Sequence, residues 1–308
     1  MVIQSDTGLN KAREMLKKGD FENAKKLLTE ALTGDLENQE IISSIRCTTY
    51  WCDKLDSIMA LQAPFERGET LIETWKSFTD YIGDSASDKT MYAIKCGIFL
   101  MALDNYRSLF HETNKAQKAE ILRKTGLCHK KLGDYETALK FLNDANVQMP
   151  ESAPVLAEMA DCYALCGEER IAKVLFREAF YVDAQKIDIE FLESELITRL
   201  IKQVSESGYS GAVLKEWIPV YGVLYGVFNV KRELRALEVG KLKQNIFSLE
   251  NNLKEAGTEP ELLVPKLINN YFRLIDYYLN ANDDRARIHE ILLKIKLLDS
   301  SVHDRYVV

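Results

Sequence analysis

The side chains with chemistry to offer are few, and their spacing suits little of it. Histidines stand at 111, 129, 289 and 303. A zinc hydrolase places two histidines one helical turn apart with a glutamate beside them as base; no His-Glu-x-x-His run occurs, and no histidine pair has ligand spacing. Gly208-Tyr209-Ser210-Gly211 sets a serine among glycines, as a nucleophile elbow does. It lacks the G-x-S-x-G spacing and the preceding strand that expose such a hydroxyl, so it reads as a helix-breaking turn. No GxGxxG or GxxxxGKS/T run is present to cradle a phosphate. Cysteines occupy 47, 52, 96, 128, 162 and 166, mostly on apolar helix faces. Cys162 and Cys166 lie one helical turn apart, awkward for a disulfide and without a second pair to complete a zinc site. They read as buried thiols in a reducing compartment. The many carboxylates read as solvated helix faces. The expectation is a protein that is not an enzyme and needs no cofactor or metal.

The elements that would position any site are helices. Only 15 glycines and 6 prolines punctuate 308 residues, too few turns for an all-β or Rossmann-type chain of this length. Hydrophobic residues make up 46% and charged ones 28%, a foldable composition. The net charge is −7, from 47 acidic and 40 basic residues, which argues against a nucleic-acid partner. No run approaches the roughly 20 apolar residues of a membrane span. The N-terminal MVIQSDTGLNKAREMLKKGD is amphipathic and has no signal-peptide core, so a cytoplasmic location is expected.

One stretch repeats. In KLGDYETALKFLNDA, residues 131–145, a Gly-Asp-Tyr turn precedes Ala138, Leu142 and Ala145 at helical spacing. A step of 34 carries Gly126 to Ala160, Gly133 to Gly167, Ala138 to Ala172, Leu142 to Phe176 and Ala145 to Ala179. Two units, 119–152 and 153–186, thus follow each other without a gap. A third copy at 5–38 has the turn at Gly19-Asp20-Phe21, with Ala12, Ala24, Leu28 and Ala31 in the matching places. A degenerate fourth has Tyr271, Ile275 and Tyr278 before Asn282-Asp283-Asp284, then Ile288, Ile291 and Ile295.

This period, with small residues where helices cross and glycine at the turn, resembles the tetratricopeptide repeat. The resemblance implies an all-α, right-handed α-solenoid of about seven helix hairpins, continuous over 1–308, with longer relatives of the repeat between 38 and 119 and over 187–308. It also implies a concave face lined by the first helix of each repeat: Glu120, Arg123, Leu127, Lys130 and Lys131, then Pro154, Ala157, Asp161, Ala164 and Leu165. Some members grip a C-terminal carboxylate there with lysines and asparagines. The corresponding residues here are Arg123, Leu127, Glu158, Leu9 and Arg13, so that clamp is missing.

Outside the repeats, helical patterns run over about 37–60, 64–82 and 87–112. DIEFLESELITRLIKQVSES reads as a helix ending before Gly208, and WIPVYGVLYGVF, 217–228, as a buried one. Residues 229–256 read as one long charged helix with an apolar stripe at 234, 237, 242, 246, 249 and 253. Helices near 260–281 and 284–299 and a polar tail close the chain. The functional expectation is a scaffold binding a partner peptide or protein on the concave face, the partner pairing an acidic residue with an apolar one. A second expectation is a regulatory sensor whose small ligand sits near Trp217, Tyr221, Tyr225 and Phe228. A third is self-association into a homo-oligomer through the 229–256 helix.

Overall fold

The computed structural model describes residues 2–255, 257–281 and 285–307. Among them the chain is 80% helix without a strand, in fifteen α-helices that pack in neighbouring pairs. The Asn282-Asp283-Asp284 turn of the weak fourth copy lies outside the described residues. The chain divides into two units, Met1–Met149 and Pro150–Val308.

In the first unit, α1 (Val2–Lys17) and α2 (Phe21–Gly34) form a hairpin, followed by α3 (Gln39–Met59), α4 (Pro64–Ile82) and α5 (Asp88–Arg107). The hairpin of α6 (Lys115–Lys131) and α7 (Tyr135–Gln148) ends the unit. Each helix packs on the next, and α1 also packs on α5, so the first five close on one another. Gly97 makes that closure feasible: a Cβ there would stand 2.1 Å from the Leu16 carbonyl oxygen. An aromatic cluster fills the interior, with Trp51 5.4 Å from Phe78 and Trp75 5.8 Å from Phe99, ring centre to ring centre. Such rings bury much apolar area per residue and favour tilted and edge contacts.

In the second unit, α8 (Ala153–Leu165) pairs with α9 (Glu169–Asp183), and α10 (Glu195–Glu206) packs on α11 (Gly211–Leu224). The central helix of the remainder is α13 (Pro260–Asn280), against which α11, α12 (Ala236–Asn252) and α14 (Arg285–Leu298) pack. Leu267, Ile268, Tyr271, Phe272 and Ile275 of α13 are buried there. The expected polar tail is instead a helix, α15 (Ser300–Val307). Its Val302 is buried and its Tyr306 stacks on Phe272 at 4.5 Å, which gives this short segment an apolar reason to fold.

The three hairpins marked by the 34-residue pattern share one turn. Gly19, Gly133 and Gly167 all have φ near +80° (79°, 85° and 85°), a conformation that costs a Cβ-bearing residue roughly 1–2 kcal/mol. Each glycine N–H donates three residues back, to Leu16, Lys130 and Ala164. The next N–H donates five back, from Asp20 to Met15, Asp134 to His129 and Glu168 to Tyr163. This Schellman closure satisfies carbonyls the helix end leaves open. In the first two hairpins the aspartate also caps the following helix, Asp20 accepting from Asn23 N–H and Asp134 from Thr137 N–H, each at 3.2 Å. Ala24/Leu28/Ala31, Ala138/Leu142/Ala145 and Ala172/Phe176/Ala179 are all buried. Small residues there let the paired axes approach.

Further expectations need correction, among them the helix expected over 217–228, which ends at Leu224. The run before Gly208 is not one helix, because a short 3-10 turn at Ile189–Phe191 and an extended link precede α10. The helix expected over 87–112 ends at Arg107. The long helix expected over 229–256 begins only at Ala236. Its first residues form a non-helical strap held largely by charge. Lys231 pairs with Asp276 at 2.5 Å, and Arg232 bridges Glu178 at 3.3 Å and Glu238 at 2.6 Å. Glu238 also accepts from the Arg235 N–H at 2.7 Å, which starts α12 at that point.

Candidate functional site

The residues expected to form an open concave face are mostly inside. In the first unit, α6 has α5 on one flank and α7 on the other, which leaves little of its surface free. Leu127, Lys130 and Lys131 are buried, Lys130 to 1% exposure. Glu120 and Arg123 are partly exposed and bound to each other, with Arg123 Nε 2.8 Å from Glu120 Oε2 and a guanidinium nitrogen 2.5 Å from Oε1. Burial alone would raise the Glu120 carboxyl; Arg123 outweighs it and holds it below the usual range.

In the second unit, Ala157 is buried, and Pro154, Ala164 and Leu165 are half-buried. Asp161 is fully buried and accepts from the N–H groups of Glu193 at 2.9 Å and Ser194 at 2.8 Å. Ser194 is the residue that opens α10, so Asp161 fixes where that helix starts. Nothing in the sequence around Asp161 signals this, because its partners are backbone groups more than 30 residues away. Cys166 is exposed, against the expectation of buried thiols; the other five cysteines are buried. His129 stacks on Phe141 at 5.4 Å, with Nδ1 3.3 Å from Asp134. Burial lowers its pKa more than Asp134 raises it, so it packs as a neutral ring.

The open concavities lie elsewhere. The first unit has a groove of about 600 Å³ over the seam between α1 and α5. Asn10, Lys11, Glu14 and Lys17 line it from α1, and Lys89 and Tyr92 from α5. Arg13, 7% exposed, forms its floor. The Arg13 guanidinium donates to Glu40, to Ser87 Oγ at 3.2 Å, to Thr90 Oγ1 at 3.3 Å and to Asn10 Oδ1 at 3.4 Å, so it ties α1 to α3 and α5. Sequence reasoning missed this groove because its two walls are more than 70 residues apart in the chain.

The second unit has a concavity of about 520 Å³ lined by Tyr209, Val213, Trp217, Pro260, Val264 and Pro265. Tyr209 stacks on Trp217 at 4.9 Å. Of the aromatic residues expected to hold a small ligand, Trp217, Tyr221 and Phe228 are buried and Tyr225 is exposed. Phe228 fills space that Gly222 leaves, since a Cβ there would come 2.4 Å from its ring. A tighter cluster surrounds Asp276, which accepts from Arg177 and Lys231, beside the Glu178–Arg273 pair at 2.7 Å. The space it encloses is about 20 Å³, enough for a water and no more.

Among the described residues no group of histidine, cysteine and carboxylate side chains has the arrangement of a metal site. No described helix is long and apolar enough to cross a membrane. No family model matches the chain, and no curated protein matches it.

Proposed function

We propose that this chain is a tetratricopeptide-like protein, its hairpins wound as a right-handed array, that works in the cytoplasm as an interaction scaffold without chemistry of its own. The observation that carries the reading is the shared turn at Gly19, Gly133 and Gly167, with the same hydrogen bonds and the same buried small–large–small face each time. A repeat of this kind buries its apolar side against its neighbours, and its outer surface is free to vary and bind. The buried state of Lys130, Lys131 and Asp161 moves the binding surface away from α6 and α8. Cross-linking the full chain in its native cell, then capture and mass spectrometry, should recover the same partner in independent preparations. Failure to recover any reproducible partner overturns the reading.

The concavity beside Tyr209 and Trp217 supports a second reading, a sensor for a small apolar ligand, because a stacked aromatic pair opens there onto about 520 Å³. Native mass spectrometry of the purified chain should show a bound small molecule if that reading is right, and the bare chain mass if it is wrong.

A further inference from the structure

We infer that the groove between α1 and α5 is the docking site for an extended acidic segment of a partner protein. The inference rests on the scaffold reading and adds the place and the chemistry of the partner. The chain as a whole is acidic, at −7, yet four of the eight residues lining this groove are cations and one is a carboxylate. Arg13 is satisfied from below by Glu40 and three polar side chains, and the lone lining carboxylate, Glu14, is held by Lys17 at 2.7 Å. Lys11 and Lys89 stand exposed on opposite walls. Between the cations sits Tyr92, a ring 51% exposed, with Lys17 and Lys95 5.9 and 5.7 Å from its centre.

A cationic rim with one exposed aromatic ring suits a segment that alternates carboxylates with apolar side chains. Lys11 and Lys17 are six residues apart on α1, or about 9 Å along the helix, a step somewhat longer than one side-chain repeat of an extended chain. Carboxylates at alternate positions of an extended chain recur on one face every ~7 Å. The apolar side chains between them would meet the Tyr92 ring.

The probe is an alternating Glu-Leu hexapeptide with an uncharged fluorophore amide-linked to its N-terminus and an amidated C-terminus, so that its backbone ends carry no charge. Anisotropy titration of the full chain should show saturable binding that weakens with salt. Lys11→Glu with Lys89→Glu should weaken it by about tenfold or more, and Tyr92→Ala should weaken it less. The exposed pair Lys26→Glu with Lys54→Glu, which changes the net charge equally, should leave binding unaltered. Circular dichroism and melting confirm that each variant folds, and Lys11→Gln with Lys89→Gln repeats the test without added carboxylates. Equal loss in the Lys26/Lys54 control, or undiminished binding by the folded Lys11/Lys89 variant, overturns the groove assignment. Equal or tighter binding of single-stranded oligothymidylate overturns the acidic-peptide assignment. No peptide binding alongside a reproducible captured partner removes this inference and leaves the scaffold reading standing. No peptide binding and no partner removes both.

Discussion

The α6–α7 hairpin and the strap from Asn229 to Arg235 are held in place by opposite means. The hairpin is closed by Ala138, Leu142 and Ala145, all fully buried, and by a glycine turn whose hydrogen bonds are backbone to backbone. The strap has one apolar anchor, Leu234, only partly buried against the core, and the rest of its hold is charge. Lys231 and Arg232 fasten it to Asp276, Glu178 and Glu238, and Arg177 and Arg273 complete the cluster. Apolar closure responds weakly to salt and pH, whereas charged closure depends strongly on both and penalises the loss of a single partner severely. The two regions should therefore fail differently.

The largest effect is expected in the strap cluster. Asp276→Ala leaves Arg177, which is 9% exposed, without its carboxylate, and frees Lys231. Removing one partner of a buried pair typically costs about 3–5 kcal/mol. Denaturant unfolding should show that loss, and hydrogen exchange should place the opening on α9, the strap and α13. A cost below about 1 kcal/mol would mean the cluster is solvated and does not hold the strap.

Leu142→Ala comes next. Leu142 is fully buried against Gly126 of α6, where a Cβ would already be within 2.7 Å of it. Truncating such a leucine costs about 2–5 kcal/mol. The difference from the strap lies in its salt response. The Leu142→Ala penalty should be the same at about 0.1 M and about 1 M salt, where the Debye length falls from about 10 to about 3 Å. A penalty that changes with salt would erase the distinction between the two regions.

That distinction also explains what could be read from the sequence. The hairpins were legible because the pattern is written three times at one period, and because glycine at a turn and alanine at a crossing each have a local physical cause. The strap was not legible. Residues 229–235 carry charged side chains with good helix propensity, and only partners on α9, α12 and α13 draw them out of the helix. Lys130 and Lys131 failed for a related reason. Lysine is ordinarily exposed, and nothing local reveals that α5 and α7 cover both flanks of α6. Asp161 likewise has the spacing of a surface residue and the role of an anchor for backbone N–H groups. The groove over α1 and α5 combines two faces that the sequence keeps far apart.

The smallest effect, and the sharpest for the comparison, is the acid response of the strap. Hydrogen bonds from Arg232 and from the Arg235 N–H pull the Glu238 carboxyl from its ordinary 4.5 down to about 2. Burial alone would raise Glu178, but Arg273 and Arg232 outweigh it and hold it low as well. For a carboxylate whose folded pKa is depressed, the ionised form is favoured by folding. Its stabilisation is therefore complete above the unfolded value and is lost as the pH falls toward the folded one. The stability difference between the native chain and Glu238→Gln should be constant from neutral pH down to about 4.5, then shrink and vanish near 2. A carboxyl NMR titration should place the Glu238 midpoint at the low end of that window. Through the same range the amides of the first turn of α12, beginning with the Val239 N–H bonded to the Arg235 carbonyl, should lose exchange protection. The α6–α7 turn has its own carboxylate, Asp134, lowered despite the opposing effect of burial by hydrogen bonds to Thr137 and by His129. It closes, however, through backbone bonds and buried alanines that do not titrate, and its amides should stay protected longer. Simultaneous loss at both places would show that acid unfolds the chain globally, and the strap would then be no more charge-dependent than the hairpin.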